Sequence, residues 1–121
     1  RTLRRRLGPQ GWTVTEQGPR RPALTRDGAG LFQMRPDIVL DRAGYRIVLD
    51  TKWKRLLPFV SDPKRGVAQA DVYQLLAYAQ AYGAEAVVLL YPSAGIGMGR
   101  DRLRIGTDGQ PFWLAEVPLE D

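Results

Sequence analysis

The 121-residue chain contains neither cysteine nor histidine. Without cysteine there is no disulfide, no thiolate nucleophile, no zinc ribbon and no iron–sulfur cluster. Without histidine, serine–histidine triads, histidine-based zinc hydrolases and histidine-dependent nucleases are excluded as self-contained sites. Any chemistry must therefore run on carboxylates, lysine, tyrosine and a borrowed metal. Long apolar runs are missing too: nothing approaches the roughly 20 residues that span a bilayer, and the start lacks the apolar stretch of a signal peptide. No membrane partner is expected, and a cytoplasmic location is. The first residue is Arg rather than Met, which suggests a piece of a longer protein.

Lysine is scarce, but arginine is not. Lys52, Lys54 and Lys64 are the only lysines among 18 basic residues, which against 13 acidic ones give a net charge of +5. Guanidinium groups suit bidentate phosphate contacts, so the charge leans towards a polyanionic partner. It supports that reading without proving it, because an arginine-rich proteome gives the same balance.

The length suits one domain. Residues 1–31 are arginine-rich and punctuated by Gly8-Pro9, Gly18-Pro19, Pro22 and Gly28-Ala29-Gly30. They read as a loop-like segment around at most one short strand at 12–15, preceding a core over 32–121. Apolar, β-branched runs at 31–41 and 45–56 flank Asp41-Arg42-Ala43-Gly44, the pattern of a hairpin. The stretch 57–66, with Pro58, Pro63 and Gly66, reads as a loop. Residues 67–82 lack glycine and proline, are rich in good helix formers and end at Gly83, so a helix is predicted. Its core stripe is Val72, Leu75, Leu76 and Ala79, with Asp71, Gln74 and Tyr78 in line beside it. A buried strand is expected over 86–91, a glycine-rich loop over 92–99 and short strands at 102–105 and 112–117.

Two carboxylates and a lysine fall on the hairpin. Side chains alternate along a strand, so Asp50 and Lys52 share one face while Ile47, Leu49, Thr51 and Trp53 take the other; Trp53 is accordingly expected in the core. If Asp41 faces Arg46, counting back places Asp37 opposite Asp50 on the same face. Two carboxylates that close repel unless a cation lies between them. Hard carboxylate oxygens hold Mg²⁺, with Mn²⁺ as a substitute, and phosphodiester hydrolysis needs an activated water and relief of charge on phosphate. Asp37 and Asp50 are the expected ligands, and Lys52 is placed to orient the water and neutralise developing charge. Arg35, Lys54 and Arg55 flank these residues and are candidates for DNA phosphate contact; Arg100, Arg102 and Arg104 form a second, weaker cluster. Asp-x-Lys and Pro-Asp are each common by chance, and their weight lies in their order along the chain.

Pro36-Asp37 followed by Asp50-Thr51-Lys52 resembles the PD-(D/E)xK nuclease superfamily. More narrowly, 34–40, 48–54, 69–79 and 88–92 are similar to McrC, the endonuclease subunit of the McrBC 5-methylcytosine restriction system, over roughly 32–92. That resemblance implies an α/β, restriction-endonuclease-like core with a mixed sheet and flanking helices. It also implies Mg²⁺-dependent cleavage of double-stranded DNA and a GTP-driven, McrB-like AAA+ partner. By the same likeness the Thr51 carbonyl would complete the metal shell, and Gln74 and Tyr78, matching a Gln-x-x-x-Tyr helix, would border the active site with catalytic roles. The acidic residue that the superfamily places on an upstream helix has no clear counterpart: Glu16 and Asp27 are the only candidates, and neither is assigned that role. A homodimer is expected from the need to cut two strands. The alternatives are a RecB-like nuclease of another DNA-processing system and a non-catalytic nucleic-acid-binding or assembly module on the same fold.

Overall fold

The computed structural model describes residues 2–58, 60–93 and 99–118. Its elements are α1 (Thr2–Leu7), a short 3₁₀ turn (Gly8–Gln10), β1 (Thr13–Glu16), β2 (Arg21–Arg26), β3 (Ala29–Met34), β4 (Ile38–Arg42), β5 (Tyr45–Thr51), α2 (Gln69–Tyr82), β6 (Ala86–Ser93), β7 (Arg100–Arg104) and β8 (Pro111–Pro118). Six strands form one sheet in the order β1-β4-β5-β6-β8-β7, and β2 and β3 pair separately as a hairpin. The β1-β4-β5 part and the β8-β7 pair are antiparallel, while β5-β6-β8 is parallel. This is the mixed α/β sheet with flanking helices expected of a restriction-endonuclease-like core. The glycine-rich loop read at 92–99 falls mainly on 94–98, outside the described residues.

The hairpin that carries the site forms as its pattern demands. Arg42 pairs with Tyr45 and Asp41 with Arg46, which leaves Ala43-Gly44 as a two-residue turn with φ of 49° and 82°. Two successive positive φ values are the signature of the turn whose twist matches that of the strands. The ladder then runs back through Val39 opposite Val48 to Ile38 opposite Leu49. An ion pair of 2.7 Å between Arg46 and Asp41 closes the turn end.

The helix α2 starts at Gln69, two residues later than predicted, and stops where Gly83 adopts φ 61° and donates its N–H to the Ala79 carbonyl. Its buried residues are Leu75, Tyr78 and Tyr82; Val72, Leu76 and Ala79 flank them, partly covered. They pack on one sheet face against Val39, Val48, Val87, Leu89, Tyr91, Phe112 and Leu114. The opposite face gathers Val14, Ile38, Leu40 and Leu49, against which Leu7 and Trp12 pack.

Residues 1–31 are not the loop-like segment that their composition suggested. They contain α1, a strand in the main sheet and most of a second hairpin. The hairpin is fixed to the helix: the Arg21 guanidinium lies 5.0 Å over the Tyr82 ring and donates to the Ala81 carbonyl, and the single proton of the Tyr82 hydroxyl is shared between the carbonyls of Pro19 and Met34. Between β1 and β2, the N–H groups of Gln17 and Gly18 donate to the carbonyls of Asp37 and Pro36. The residues just before β4 are thus gripped from the side, and Pro36 is fully buried.

Gly18 allows that grip. A Cβ there would lie 2.8 Å from Val39 Cγ2 and 3.1 Å from Pro36 Cγ. Gly18→Ala is expected to lower stability by about 1–3 kcal/mol, the usual cost of overpacking, and to shift amide resonances of Pro36 neighbours and Asp37. Urea unfolding with an unchanged midpoint would contradict this account of the grip.

Candidate active site

Asp37 sits one residue before β4 and Asp50 one residue before the end of β5. The ladder register places them side by side, where the charge of one acts on the other. Asp37 Oδ2 also accepts from the Thr51 amide at 2.9 Å and from Thr51 Oγ1 at 2.8 Å. Thr51 therefore serves the site here as a donor that fixes Asp37. Lys52 continues the line of β5 by donating its N–H to the Leu90 carbonyl. Its ammonium lies 3.1 Å from Asp50 Oδ2, 3.2 Å from Asp71 Oδ1 and 3.4 Å from Gln74 Oε1.

The surroundings push the two carboxyls apart in acidity. Burial raises the Asp50 carboxyl to about 6, and the neighbouring Asp37 charge adds to the rise while Lys52 opposes it. Burial also acts upward on Asp37, but the donations from Thr51 outweigh it and leave that carboxyl below its usual range. For Lys52, burial acts to release the proton, yet the hydrogen bonds to Asp50 and Asp71 win and the ammonium is held more firmly than usual. The pattern is one carboxylate held ready by hydrogen bonds, a second that resists ionising beside it, and a fixed cation.

Tyr78 is buried, and its hydroxyl donates to the Arg35 carbonyl at 3.3 Å. Burial, with the charges of Asp50 and Asp37, raises it to about 12, so it stays a neutral phenol. Its visible work is to hold the backbone just before Pro36-Asp37. Gln74, by contrast, is exposed and reaches Lys52 directly. Arg35, Lys54 and Arg55 are exposed, and among the described residues none forms an ion pair.

Three features departed from the sequence reading or escaped it. Trp53 is 87% exposed rather than in the core, because β5 ends at Thr51 and alternation no longer applies beyond it. Asp71 was visible only as the first member of the Asp71, Gln74, Tyr78 line; its ion pair with Lys52 spans two elements and left no local signal. Of the second arginine cluster, Arg102 lies over the Trp113 ring at 5.7 Å. Trp113 alternates with Phe112 and Leu114, which face α2, so Arg102 sits on the sheet face away from Asp50 and Lys52.

The segment after Lys52 closes on itself. The Leu57 N–H donates to the Arg65 carbonyl and Arg65 Nε donates back to the Leu57 carbonyl. The Arg65 guanidinium then pairs with Asp101 at 3.1 Å and Glu116 at 3.3 Å, which ties the loop to β7 and β8.

A family model, the McrBC 5-methylcytosine restriction system component, matches residues 1–92. The chain belongs to that family. No curated protein matches the chain in sequence. Among solved structures, a Holliday junction resolvase, Hjc from Archaeoglobus fulgidus, is 25% identical with a TM-score of 0.45, over 78% of this chain and 67% of that one.

The donor set can be tested against the metal that the family implies. Mg²⁺ is bound through one or two carboxylates and retains several waters, so it needs no dedicated protein cage. Asp37 and Asp50 supply such a pair, and the reluctance of Asp50 to ionise beside Asp37 is what a cation would relieve. Among the described residues there is no cluster of three or more acidic, histidine or cysteine ligands, so a closed cage of the structural-zinc kind does not fit. The two carboxylates with open positions fit Mg²⁺.

A pH dependence follows from Asp50. Its carboxyl stands at 3.8 unfolded and about 6 folded, so the folded state binds this proton more tightly. Its contribution to stability is full below about pH 4 and is lost as the pH rises through about 6. Asp50→Asn, which cannot ionise, is expected to melt a few degrees above wild type at pH 7.5 in chelator, a gain on the order of 1 kcal/mol, with no difference near pH 4. Thermal melts of both proteins across that range check this; a variant less stable at pH 7.5 than at pH 4 relative to wild type would contradict it.

Proposed function

We propose that the chain is the catalytic part of an McrC-type DNA endonuclease that hydrolyses phosphodiester bonds with Mg²⁺. Asp37, Asp50, Lys52, Gln74 and Tyr78 make up its site, and an McrB-like AAA+ GTPase is its partner. The observation that carries this reading is the Asp37 and Asp50 carboxyls set side by side by the β4–β5 register, with the Lys52 ammonium 3.1 Å from Asp50.

Asp37 and Asp50 would hold the metal, and the Thr51 carbonyl would complete its shell. When bound, Mg²⁺ supplies Lewis-acid relief of charge on the phosphate and lowers the pKa of a bound water. The remaining work belongs to the chain. Thr51 fixes the Asp37 carboxylate through two hydrogen bonds, so one acceptor oxygen keeps its aim. Lys52 places a full positive charge beside the carboxylates, where it can orient the attacking water and offset charge building on the phosphoryl oxygens. Gln74 limits the swing of that ammonium, and Tyr78 holds the backbone leading into Asp37. Arg35, Lys54 and Arg55, which form no ion pair among the described residues, would meet phosphates on either side of the scissile bond. Trp53, exposed between Lys52 and Lys54, offers an aromatic face beside them. Cutting both strands requires two such centres, which a second copy would provide.

The test is cleavage of methylated plasmid DNA by the chain in its full-length context with the McrB-like partner, GTP and Mg²⁺. Asp50→Ala and Lys52→Ala are each expected to reduce cleavage by roughly 10²–10⁴-fold. Chelation should abolish it and Mn²⁺ restore it. Cleavage indifferent to Asp50→Ala would sink the assignment and favour a non-catalytic module.

DNA binding gives a second check. Replacing Arg35, Lys54 and Arg55 together with alanine is expected to weaken binding irrespective of sequence. The slope of log K against log salt should fall by about 2–3, near one per lost phosphate contact. An unchanged slope would remove these residues from the interface.

A further inference from the structure

Lys52 has two carboxylate neighbours on different elements, and only one of them belongs to the proposed metal pair. An ammonium carries three donors and no acceptor, and here three acceptors surround it: Asp50 from β5, and Asp71 and Gln74 from α2. A cation held by Asp50 would take up that carboxylate's oxygens and repel the ammonium. The lysine stem is flexible, so an ammonium dependent on Asp50 alone would swing away at the moment it is needed. Asp71 lies outside the Asp37 and Asp50 pair, in the first turn of α2, where the helix dipole favours a negative side chain.

Beside this pair is a hydroxyl without an explanation in packing. Tyr91 is 1% exposed, and its hydroxyl has no hydrogen-bond partner among the described residues. It follows Leu90, whose carbonyl takes the Lys52 N–H, and it shares the α2-facing side of the sheet with Val87 and Leu89. Phenylalanine would pack equally well there, and a buried unpaired hydroxyl costs about 1–3 kcal/mol. The charges of Asp71 and Lys52 both act on this hydroxyl, in opposite senses, while burial raises it to about 12. The β5–β6 register, with Thr51 opposite Leu90, carries Tyr91 to the level of Lys52.

Resting on the nuclease reading above, we infer that Asp71 is a positioning residue for Lys52: with the Tyr91 hydroxyl at its side, it seats the ammonium independently of Asp50. Asp71 keeps the ammonium aimed when Asp50 turns to the metal. The Tyr91 hydroxyl, without a hydrogen-bond partner among the described residues, would be the donor that holds the Asp71 carboxylate when the lysine shifts.

Only three lysines are present, so the ammonium of Lys52 is accessible to nitrogen-detected NMR, assigned by its loss in Lys52→Arg. The full chain is compared as wild type, Asp71→Asn, Asp71→Glu and Tyr91→Phe, with and without Mg²⁺ and without DNA. Wild type is expected to keep a slowly exchanging ammonium signal in both states. Asp71→Asn should speed its exchange without metal and lose it with Mg²⁺, and Asp71→Glu should restore part of it. In cleavage assays Asp71→Asn should lower kcat roughly 10–100-fold with KM within about twofold, the mark of an interaction that matters in the transition state. Tyr91→Phe should melt at or above the wild-type temperature yet cleave several-fold more slowly. A protected signal in Asp71→Asn with normal kcat overturns the seat, and Tyr91→Phe with normal kcat removes the hydroxyl from it. If wild type in its full-length context with the McrB-like partner, GTP and Mg²⁺ does not cleave at all, the nuclease reading fails. The metal-free comparison then decides the seat alone: faster exchange in Asp71→Asn upholds it, and unchanged exchange refutes it.

Discussion

The alignment of β4 with β5 governs everything else in this molecule. A two-residue turn with both φ values positive sets the register, and from it follows which side chains share a face. Sliding by one residue would send Asp50 and Lys52 to the side of Leu7 and Trp12 and bring Ile47 and Leu49 under α2. The burial of Val39 and Val48 on one face, and of Ile38, Leu40 and Leu49 on the other, makes such a slip costly on both sides at once. A site that depends on two carboxyls meeting is thereby protected by apolar residues that take no part in its chemistry.

The site is built from groups that would not choose to be together. Two acidic side chains lie side by side at the ends of two buried strands, and one of them is nearly withdrawn from water. Hydrogen bonds from Thr51 and the ammonium of Lys52 offset part of that cost without removing it. Such residual tension is common where a fold prepares for a ligand with the opposite charge. The helix contributes from above: Gln74 and Asp71 reach the lysine, and Tyr78 reaches the backbone that leads into Asp37, so α2 is as much a part of the site as the hairpin.

How far the sequence revealed this depends on where the buried faces are. The hairpin, its register, α2 and β6 were legible because each carries apolar residues at a period that burial enforces. The second hairpin was not: β2 and β3 are mostly exposed, and a strand without a buried face has no periodic signal to read. It stays in place through Arg21 and Tyr82, a contact between distant residues. Asp37, Asp50 and Lys52 could be picked out because local spacing puts them together. Asp71 and Tyr91 could not, since what draws attention to them is a tertiary ion pair and an unpaired hydroxyl. Trp53 was misplaced for a simpler reason: alternation was carried past the end of the strand that enforces it.

The self-closed loop after Lys52 bears on how such a protein can change. Leu57 and Arg65 bind each other in both directions, and Arg65 anchors to Asp101 and Glu116. The residues between them form a bight whose two ends are knotted at one point on the sheet. A change in the length of that bight alters what projects from it, while the Leu57–Arg65 clasp and its ties to Asp101 and Glu116 hold its two ends to the sheet. New contacts acquired there are separated from Lys54, Arg55 and the carboxylates by that clasp.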